Sequence, residues 1–311
     1  MIVTVTLNPA IDKTVEIGQL VPGGLNRIHK VEYDAGGKGI NVSKTIHELG
    51  GESIATGFLA GNAGRTIESV LKDRGIRSDF VWVEGETRTN IKVLEDNGEV
   101  TELNEPGPDI TESQLNTLIS KLEGYAADGV LFVLAGSIPN GINIDFYERI
   151  IRLLHAKGAK VLLDADGCMF RQALDAGPDI IKPNRAELEE FMGIDYRASD
   201  RDLLETARQI RGKGVNTVAV SMGKSGAMFV RDGYEVRCPA LHVKAHSTVG
   251  AGDAMVAALS YSFDRKLSDA DTTRICMAAS AGAVTTIGTK PPARELVDEF
   301  MKQVNIEIIG E

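Results

Sequence analysis

Short runs of β-branched residues alternate with longer stretches of helical periodicity along most of the 311 residues. The strand-like runs are predicted at 2–7, 53–58, 130–135, 160–164, 180–182 and 217–221. Helices are predicted at 39–49, 62–74, 111–123, 145–157, 185–192, 201–212, 252–263 and 269–286. This alternation is typical of parallel strands joined by crossover helices. The sequence therefore predicts an α/β fold with a doubly wound, mostly parallel sheet, in a single domain covering residues 1–311.

Two stretches, 13–34 and 87–103, interrupt the alternation because they have a period of two residues and no helix between their strands. The second contains the turn dipeptide Asn97-Gly98, which is a strong hairpin signal. We expect both stretches to be inserted as strands outside the main sheet. A small β-sheet placed over the ends of the parallel strands would cover a cleft, and we call this sheet the lid.

The composition limits the classes of partner. The chain has 44 acidic and 34 basic side chains, and the net charge of −10 opposes binding to nucleic acid or to an anionic membrane surface. No apolar run approaches the roughly 18 residues that a membrane-spanning helix needs. The three cysteines are far apart and lack metal-ligand spacing, which favours the reducing cytoplasm over a disulfide-bonded or zinc-bound protein.

Two glycine-rich segments each precede an apolar helical run: AGGKGIN at 35–41 and TVGAGDAM at 248–255. Glycines allow backbone amides to converge on an anion, and the following helix adds the positive end of its dipole. Such loops also serve as plain tight connections between strand and helix. A dinucleotide-binding pattern would need glycine at Val42 or Met255, and a P-loop would need it at Val218. A dehydrogenase or a P-loop enzyme is therefore disfavoured.

The second loop ends in a carboxylate, Asp253, in the first turn of the predicted helix. A carboxylate here could accept the proton of a hydroxyl group while the amides of Gly250, Ala251 and Gly252 bind phosphoryl oxygens. The same residue could instead cap the helix. This segment alone leaves both interpretations open.

Four segments in order resemble the ribokinase-like (PfkB) carbohydrate kinases: AGGKGIN at 35–41, KPNRAE at 182–187, SMGKSGA at 221–227 and TVGAGD at 248–253. The resemblance extends over essentially the whole chain. It implies a ribokinase-like fold and the transfer of a phosphoryl group from ATP to a sugar hydroxyl. It also implies that Asp253 is the catalytic base and that the amides of residues 250–252 form the anion hole.

The resemblance further implies where nucleotide and metal bind. Asn184 and Glu187 match the family's magnesium element, which usually acts through ordered water, although the two residues could equally form a helix capping box. The residues matching the nucleotide contacts are Lys182, Asn184, Ser221, Gly223, Gly226 and Thr248. Adenine is expected against residues 276–282 and a strand at 243–248. Relatives also have a monovalent-cation site, for example for K⁺, near the positions of Ser247, Val249 and Gly288.

The N-terminal segment LNPAID at 7–12 resembles the branch of the family that acts on phosphosugars. By this resemblance Asp12 accepts hydrogen bonds from sugar hydroxyls, and Gly36, Gly37 and Asn41 complete that side of the sugar; alternatively Asp12 is a turn residue after Pro9. The acceptor's phosphate would be held by residues at motif-matched positions, Arg27, Lys38, Arg88 and Ser137, and Asn90 is a further expected substrate-binding residue. Lys38 favours a phosphorylated acceptor, since a free sugar gains nothing from a cation beside it.

The AGGKG form is typical of the branches that phosphorylate fructose 1-phosphate or tagatose 6-phosphate. RTNIKV at 88–93 and NEPGP at 104–108 favour fructose 1-phosphate, with transfer to its C6 hydroxyl. Tagatose 6-phosphate remains the alternative acceptor, and a silent sensor of sugar phosphate or nucleotide is an alternative from another class. A nicotinamide-dependent oxidoreductase is a further rival, weakened by the failed fingerprint.

Two further features bear on the pocket and on assembly. Relatives commonly carry D-T/S-S-G after the central strand, whereas this chain has Asp164-Ala165-Asp166-Gly167, with the carboxylate of Asp166 where serine is usual. The lid has an exposed sheet edge that could pair with a second lid, as relatives often do, so a homodimer is expected.

Overall fold

A computed structural model describes residues 1–286 and 288–309. The strands are β1 Ile2–Thr6, β2 Ala10–Ile17, β3 Ile28–Gly36, β4 Ser53–Ala60, β5 Arg77–Ser78, β6 Val81–Val83, β7 Arg88–Glu95, β8 Val100–Asn104, β9 Leu131–Ala135, β10 Lys160–Asp164, β11 Ile180–Ile181, β12 Thr217–Ser221, β13 Ala227–Arg231, β14 Tyr234–Cys238 and β15 Glu307–Ile308. The helices are α1 Lys38–Glu48, α2 Gly61–Asp73, α3 Glu112–Tyr125, α4 Phe146–Ala156, α5 Gly167–Leu174, α6 Arg185–Met192, α7 Asp200–Arg211, α8 Ala251–Arg265, α9 Asp269–Ala283 and α10 Arg294–Met301.

The large sheet has the strand order β15-β14-β13-β12-β11-β10-β9-β1-β4-β5, with β6 paired to β4. All pairs from β5 to β12 are parallel, and the pairs from β12 to β15 are antiparallel. The first strand lies between β4 and β9, so the chain extends the sheet outward in both directions from β1. The predicted doubly wound, mostly parallel sheet is confirmed.

Helices cover both faces of this sheet, which is why its central strands are apolar throughout. Val3 and Val5 of β1 point into the core beneath α3, α4, α5 and α7, whereas Ile2 of the same strand points to α1, α8 and α9. The alternation follows from the two-residue period of a strand. Every residue of β1 and of β9 is buried.

The lid is a separate sheet with the order β3-β2-β7-β8, in which β2 pairs antiparallel with β3 and parallel with β7. The hairpin between β7 and β8 turns at Asn97-Gly98, where Gly98 has φ 86° and the Asn97 side chain accepts a hydrogen bond from the Glu99 amide. Val15, Ile17 and Val93 form a small apolar core of the lid's own. The small sheet expected beside the main one is therefore present.

The structure differs from the predicted elements in two ways: some elements were missed and one predicted strand is absent. The β13–β14 hairpin, α5 and α10 were not predicted. The strand predicted at 243–248 is wrong, because residues 239–247 form neither helix nor strand. The amides of His246 and Ser247 donate to the carbonyl of Val284, so this segment is tied to the end of α9 instead of to a sheet.

Among the described residues, no helix is both long enough and apolar enough to span a bilayer.

We predict that Gly57→Ala destabilises the protein by about 3 kcal/mol or more, because overpacking adds to backbone strain. A Cβ at Gly57 would lie 1.8 Å from the backbone oxygen of Thr6 in the neighbouring strand, and the residue has φ 136°. Gly75→Ala is the matched control: φ is 73°, yet nothing lies within 4 Å. It should cost only about 1 kcal/mol of left-handed strain. Urea unfolding measures both, and equal losses would contradict the packing argument.

Candidate active site

The carboxyl ends of the parallel strands meet at one edge of the large sheet, where a doubly wound fold characteristically forms its ligand crevice. A cavity of about 630 Å³ opens there. Its lining comes from α1, from the ends of β10, β11 and β12, and from α8 and α9, and includes Lys38, Asp164, Lys182, Asn184, Glu187, Ser221, Gly223, Gly226, Thr248, Ala251, Gly252 and Asp253. The segments singled out in the sequence therefore converge on one cavity.

The N-terminus of α8 forms one wall of this cavity. Gly250 precedes the helix with φ 85°, a conformation that favours glycine, and α8 has no side-chain cap hydrogen bond among the described residues. The amides of Ala251, Gly252 and Asp253 lie in the first turn, where no preceding turn supplies carbonyl partners. The helix mouth therefore offers open amide donors to an anion.

The carboxylate of Asp253 is used across the cavity and not as a helix cap. Its Oδ2 accepts a hydrogen bond of 2.8 Å from Asn41 Nδ2 on α1. Burial, together with the negative charge of Asp164, raises the pKa of Asp253 to about 6, against the opposing effects of Asn41, Lys38 and Lys182. A carboxylate with this pKa is ionised at neutral pH and is still basic enough to take a proton.

Two lysines flank the helix mouth, and one carboxylate holds both of them. Asp164, at the end of β10, lies 3.5 Å from Lys38 Nζ and 3.3 Å from Lys182 Nζ, and only 2% of its side chain is exposed. Burial opposes ionisation of Asp164, but the charges of Lys182 and Lys38 outweigh it and lower its pKa. A Cβ at Gly252 would lie 3.4 Å from Lys182 Nζ, so this ammonium group is beside the open amides.

Asn184 and Glu187 form a complete capping box at the start of α6. Asn184 Oδ1 accepts from the Glu187 amide at 2.9 Å, and Glu187 Oε2 accepts from the Asn184 amide at 2.8 Å. Burial raises the pKa of Glu187. The capping interpretation is thus realised, and the same two side chains also line the cavity.

The cavity residues fit a magnesium ion that keeps most of its water and phosphate ligands. Glu187 and Asp164 present carboxylate oxygens to the cavity. In the described part of the chain no group of three or more His, Cys, Asp or Glu side chains could enclose a metal ion. Mg²⁺ is usually bound by one or two protein carboxylates and takes its remaining ligands from water and phosphate oxygens.

One end of the cavity is lined mainly by apolar side chains. Val243, Met277, Ala281 and Val284 supply apolar surface there, in keeping with a wall for a flat base. The turn between β12 and β13 lies beside them, and Gly226 within it has φ 97°, with no room for a Cβ, which would lie 1.8 Å from the Cys238 oxygen.

The lid brings the residues matched to the acceptor together around Asp12. Asn90 Nδ2 donates to Asp12 Oδ1 at 3.3 Å, and Lys92 Nζ lies 3.6 Å from Asp12 Oδ2. A Cβ at Gly36 would lie 2.5 Å from Asp12 Oδ2, so a side chain at this position would displace the Asp12 carboxylate. The next residue, Gly37, has φ 106° and immediately precedes α1.

Arg88 and Ser137 lie near this end of the cleft. Arg88 Nε donates to the Asn8 carbonyl at 3.2 Å, and Arg88 Nη1 donates to the Glu105 carbonyl at 3.2 Å. Ser137 is exposed in the loop after β9. A Cβ on the preceding Gly136 would lie 3.8 Å from the side chain of Lys38, so this loop borders the cavity.

Arg27 lies apart from the other matched residues. The β2–β3 register pairs Ala10 with Gly36 at the cavity end and Ile17 with Ile28 at the other end. Arg27 precedes Ile28, so it lies roughly 30 Å along the strand from Gly36 at about 3.3 Å per residue. The chain's own Arg27 therefore does not reach the acceptor end, and the expectation that it would do so is corrected.

Sequence reasoning overlooked two residues of this cavity. Asp164 was noted only as part of a departure from the family pattern, although a carboxylate that ends a buried parallel strand falls on the ligand edge of the sheet. Lys92 was not singled out, although it alternates with Arg88 and Asn90 and so shares their face of β7. For both residues, the position along the strand is the feature of the sequence that could have identified them as site residues.

The chain is similar to known proteins along nearly its whole length. The model of the pfkB family carbohydrate kinases matches residues 4–296. A 1-phosphofructokinase of Vibrio cholerae is 32% identical over 99% of this chain and 97% of its own length, and one of Borreliella burgdorferi is 34% identical over 99% of each. The crystal structure of phosphofructokinase-2 from Escherichia coli in complex with potassium superposes with a TM-score of 0.91 at 28% identity, covering 97% of this chain and 98% of that one.

We predict that kcat/KM rises with pH through about 6 and then levels, because the role expected for Asp253, accepting a proton, requires its carboxylate form. Asn41→Leu should move this acid limb to higher pH, since the Asn41 hydrogen bond favours the carboxylate. Asn90→Leu is the control, because it removes an amide that contacts Asp12 and not Asp253. It should lower kcat/KM and leave the limb in place. An unmoved limb in Asn41→Leu would contradict the role of this hydrogen bond.

Proposed function

The chain belongs to the pfkB family of carbohydrate kinases, and we propose that it transfers the γ-phosphoryl group of ATP to the C6 hydroxyl of D-fructose 1-phosphate. The products are ADP and D-fructose 1,6-bisphosphate. Membership of the family makes the protein a phosphotransferase with an alcohol acceptor. The acceptor is proposed from the relatives of Vibrio cholerae and Borreliella burgdorferi, which match along nearly the whole chain.

The observation that carries the proposal is the position of Asp253 beside the open amides of α8, with Lys38 and Lys182 on either side. In the proposed reaction Asp253 accepts the proton of the C6 hydroxyl as its oxygen bonds to the γ-phosphorus. The bond from phosphorus to the β–γ bridging oxygen breaks, and ADP leaves with that electron pair. The amides of residues 250–252 and the two ammonium groups stabilise the negative charge on the transferred group.

The remaining cavity residues orient the two substrates. Ser221, Gly223, Gly226 and Thr248 are proposed to contact the phosphates and ribose of ATP, and the apolar wall around Met277 to contact adenine. Glu187, Asn184 and Asp164 would hold a magnesium ion, mostly through water. When bound, the ion supplies positive charge to the phosphate oxygens.

The acceptor is proposed to lie under the lid. Asp12 would accept hydrogen bonds from two neighbouring sugar hydroxyls, which a carboxylate can do. Gly36, Gly37 and Asn41 would complete that side of the sugar. Arg88, Asn90, Ser137 and Lys38 are proposed to face the phosphate that the acceptor already carries. Closure of the lid keeps water, a competing acceptor, away from the γ-phosphate.

We also propose that K⁺ binds beside the anion hole, near Ser247, Val249 and Gly288. The Escherichia coli relative was crystallised in complex with potassium. Here the Ser247 hydroxyl oxygen accepts a hydrogen bond from the Val249 amide at 3.1 Å, which holds that corner of the loop. The cytoplasm is the proposed location, and the free cysteines Cys168, Cys238 and Cys276 are in keeping with its reducing conditions.

A homodimer formed by pairing of two lids is proposed from the surface of the lid. Seven large apolar side chains of this sheet and its loops are exposed, namely Val21, Leu25, Ile28, Val31, Tyr33, Val100 and Leu103. Leu25 is 78% and Tyr33 65% exposed. Apolar side chains concentrated on one surface mark a site of association.

We predict that ADP release with fructose 1-phosphate exceeds that with tagatose 6-phosphate, fructose 6-phosphate and free fructose by at least about tenfold in kcat/KM. A coupled assay on these four acceptors measures it.

Asp253→Asn should lower kcat by several orders of magnitude and keep ATP affinity within a few-fold, because the amide cannot accept the proton. In the acceptor assay, a higher kcat/KM with tagatose 6-phosphate would identify that sugar phosphate as the acceptor instead. Near-normal turnover in Asp253→Asn would overturn the assigned base, and ligand binding without ADP release from any acceptor would favour a sensor.

We predict that Tyr33→Asp shifts the protein from dimer to monomer at micromolar concentration, because two charges would be buried in the lid pair. Sedimentation velocity measures the mass. Tyr196→Asp is the matched control, since Tyr196 is 59% exposed and lies outside the lid. A wild-type monomer, or an unchanged dimer in Tyr33→Asp, would refute pairing through this surface.

A further inference from the structure

Lys92 is a nearly buried cation of the lid that the proposed mechanism does not use. Only 12% of its side chain is exposed, and it lies on β7. Its one ion pair among residues 1–286 and 288–309 is with Asp12 at 3.6 Å, which is longer than a hydrogen bond. A lysine ordinarily extends its ammonium group into water, so a buried one with a single loose partner calls for a cause.

The strand register places this ammonium group in the acceptor site. Along β2 and β7, Ala10 pairs with Arg88, Asp12 with Asn90 and Thr14 with Lys92. Alternate residues of a strand share a face, so Arg88, Asn90 and Lys92 form one row beside Asp12. Successive members of the row are about 6.6 Å apart, and both Asn90 and Lys92 reach the Asp12 carboxylate.

The carboxylates on this face of the lid oppose the binding of an anion, and the other cations expected at the acceptor's phosphate are engaged elsewhere or distant. Asp12 lies directly opposite Asp34 in the antiparallel β2–β3 pair, and like charges in this arrangement repel. A hexose phosphate brings about two further negative charges to Asp12. Of these cations, Lys38 is paired with Asp164, Arg88 donates to the backbone carbonyls of Asn8 and Glu105, and Arg27 lies at the other end of the lid.

We propose that Lys92 is the residue that makes this site specific for phosphorylated acceptors. Its ammonium group balances the Asp12 carboxylate and attracts the dianionic phosphate, so that Asp12 can bind the sugar hydroxyls of an anionic substrate. The inference rests on the proposed function and deepens it, because it adds Lys92 to the lid side chains that recognise the existing phosphate. A sugar without phosphate needs no such cation.

The test uses Lys92→Met, which keeps the length of the side chain and removes its charge. With fructose 1-phosphate, KM should rise about tenfold or more and kcat should change less than about threefold. The loss of log(kcat/KM) with increasing ionic strength should become shallower, because one attractive charge is gone. Lys92→Arg should restore most of the KM. Lys13→Met is the matched control, because Lys13 faces the opposite side of the lid, over the Tyr33 ring.

An unchanged KM in Lys92→Met would overturn the proposal. A loss confined to kcat, or a loss that Lys92→Arg does not restore together with a lowered melting temperature, would assign Lys92 a structural role and also overturn it. Wild-type enzyme that does not use fructose 1-phosphate would refute the proposed function alone. The same comparison then runs with the hexose phosphate that the wild type does use, and an unchanged KM there would refute the role of Lys92.

Discussion

A buried carboxylate between two lysines determines the geometry of the cleft. Asp164 at the end of β10 is almost wholly enclosed, and an enclosed charge without partners would cost several kcal/mol. Its partners, Lys38 at the start of α1 and Lys182 after β11, are therefore held at the edge of the sheet. Asp253 faces this group, and the negative charge of Asp164 helps to raise the pKa of Asp253. Asp164, Lys38 and Lys182 together thus position the two cations that line the cavity and influence the pKa of Asp253.

The lid contacts the loop that borders the helix mouth, so lid position and anion site are coupled. A Cβ at Gly288 would lie 2.6 Å from Asp34 of the lid, and Lys290 lies 3.8 Å from Glu32. Thr289, between Gly288 and Lys290, borders the helix mouth, because a Cβ at Gly250 would lie 3.6 Å from the Thr289 Cα. Lid movement and completion of the anion site are expected to occur together.

The sequence predicts local order better than distant contacts. The strand Lys160–Asp164 was predicted residue for residue, because its apolar run is short and bounded. The β13–β14 hairpin was missed although Asp232-Gly233 is a hairpin turn signal. The hydrogen bond from Asn41 to Asp253 joins residues 212 apart, and no periodicity reports such a contact. The motif that suggested Arg27 fixes a residue type and not the strand register, which places it at the other end of the lid.

The central claim is that the phosphoryl group goes to the hydroxyl nearest Asp253, at C6 of the acceptor. Nuclear magnetic resonance of a reaction with ATP and fructose 1-phosphate labelled with carbon-13 at C6 tests it directly. The C6 signal is predicted to gain a coupling to phosphorus as ADP accumulates. Formation of ADP with inorganic phosphate and an unchanged C6 signal would contradict the account.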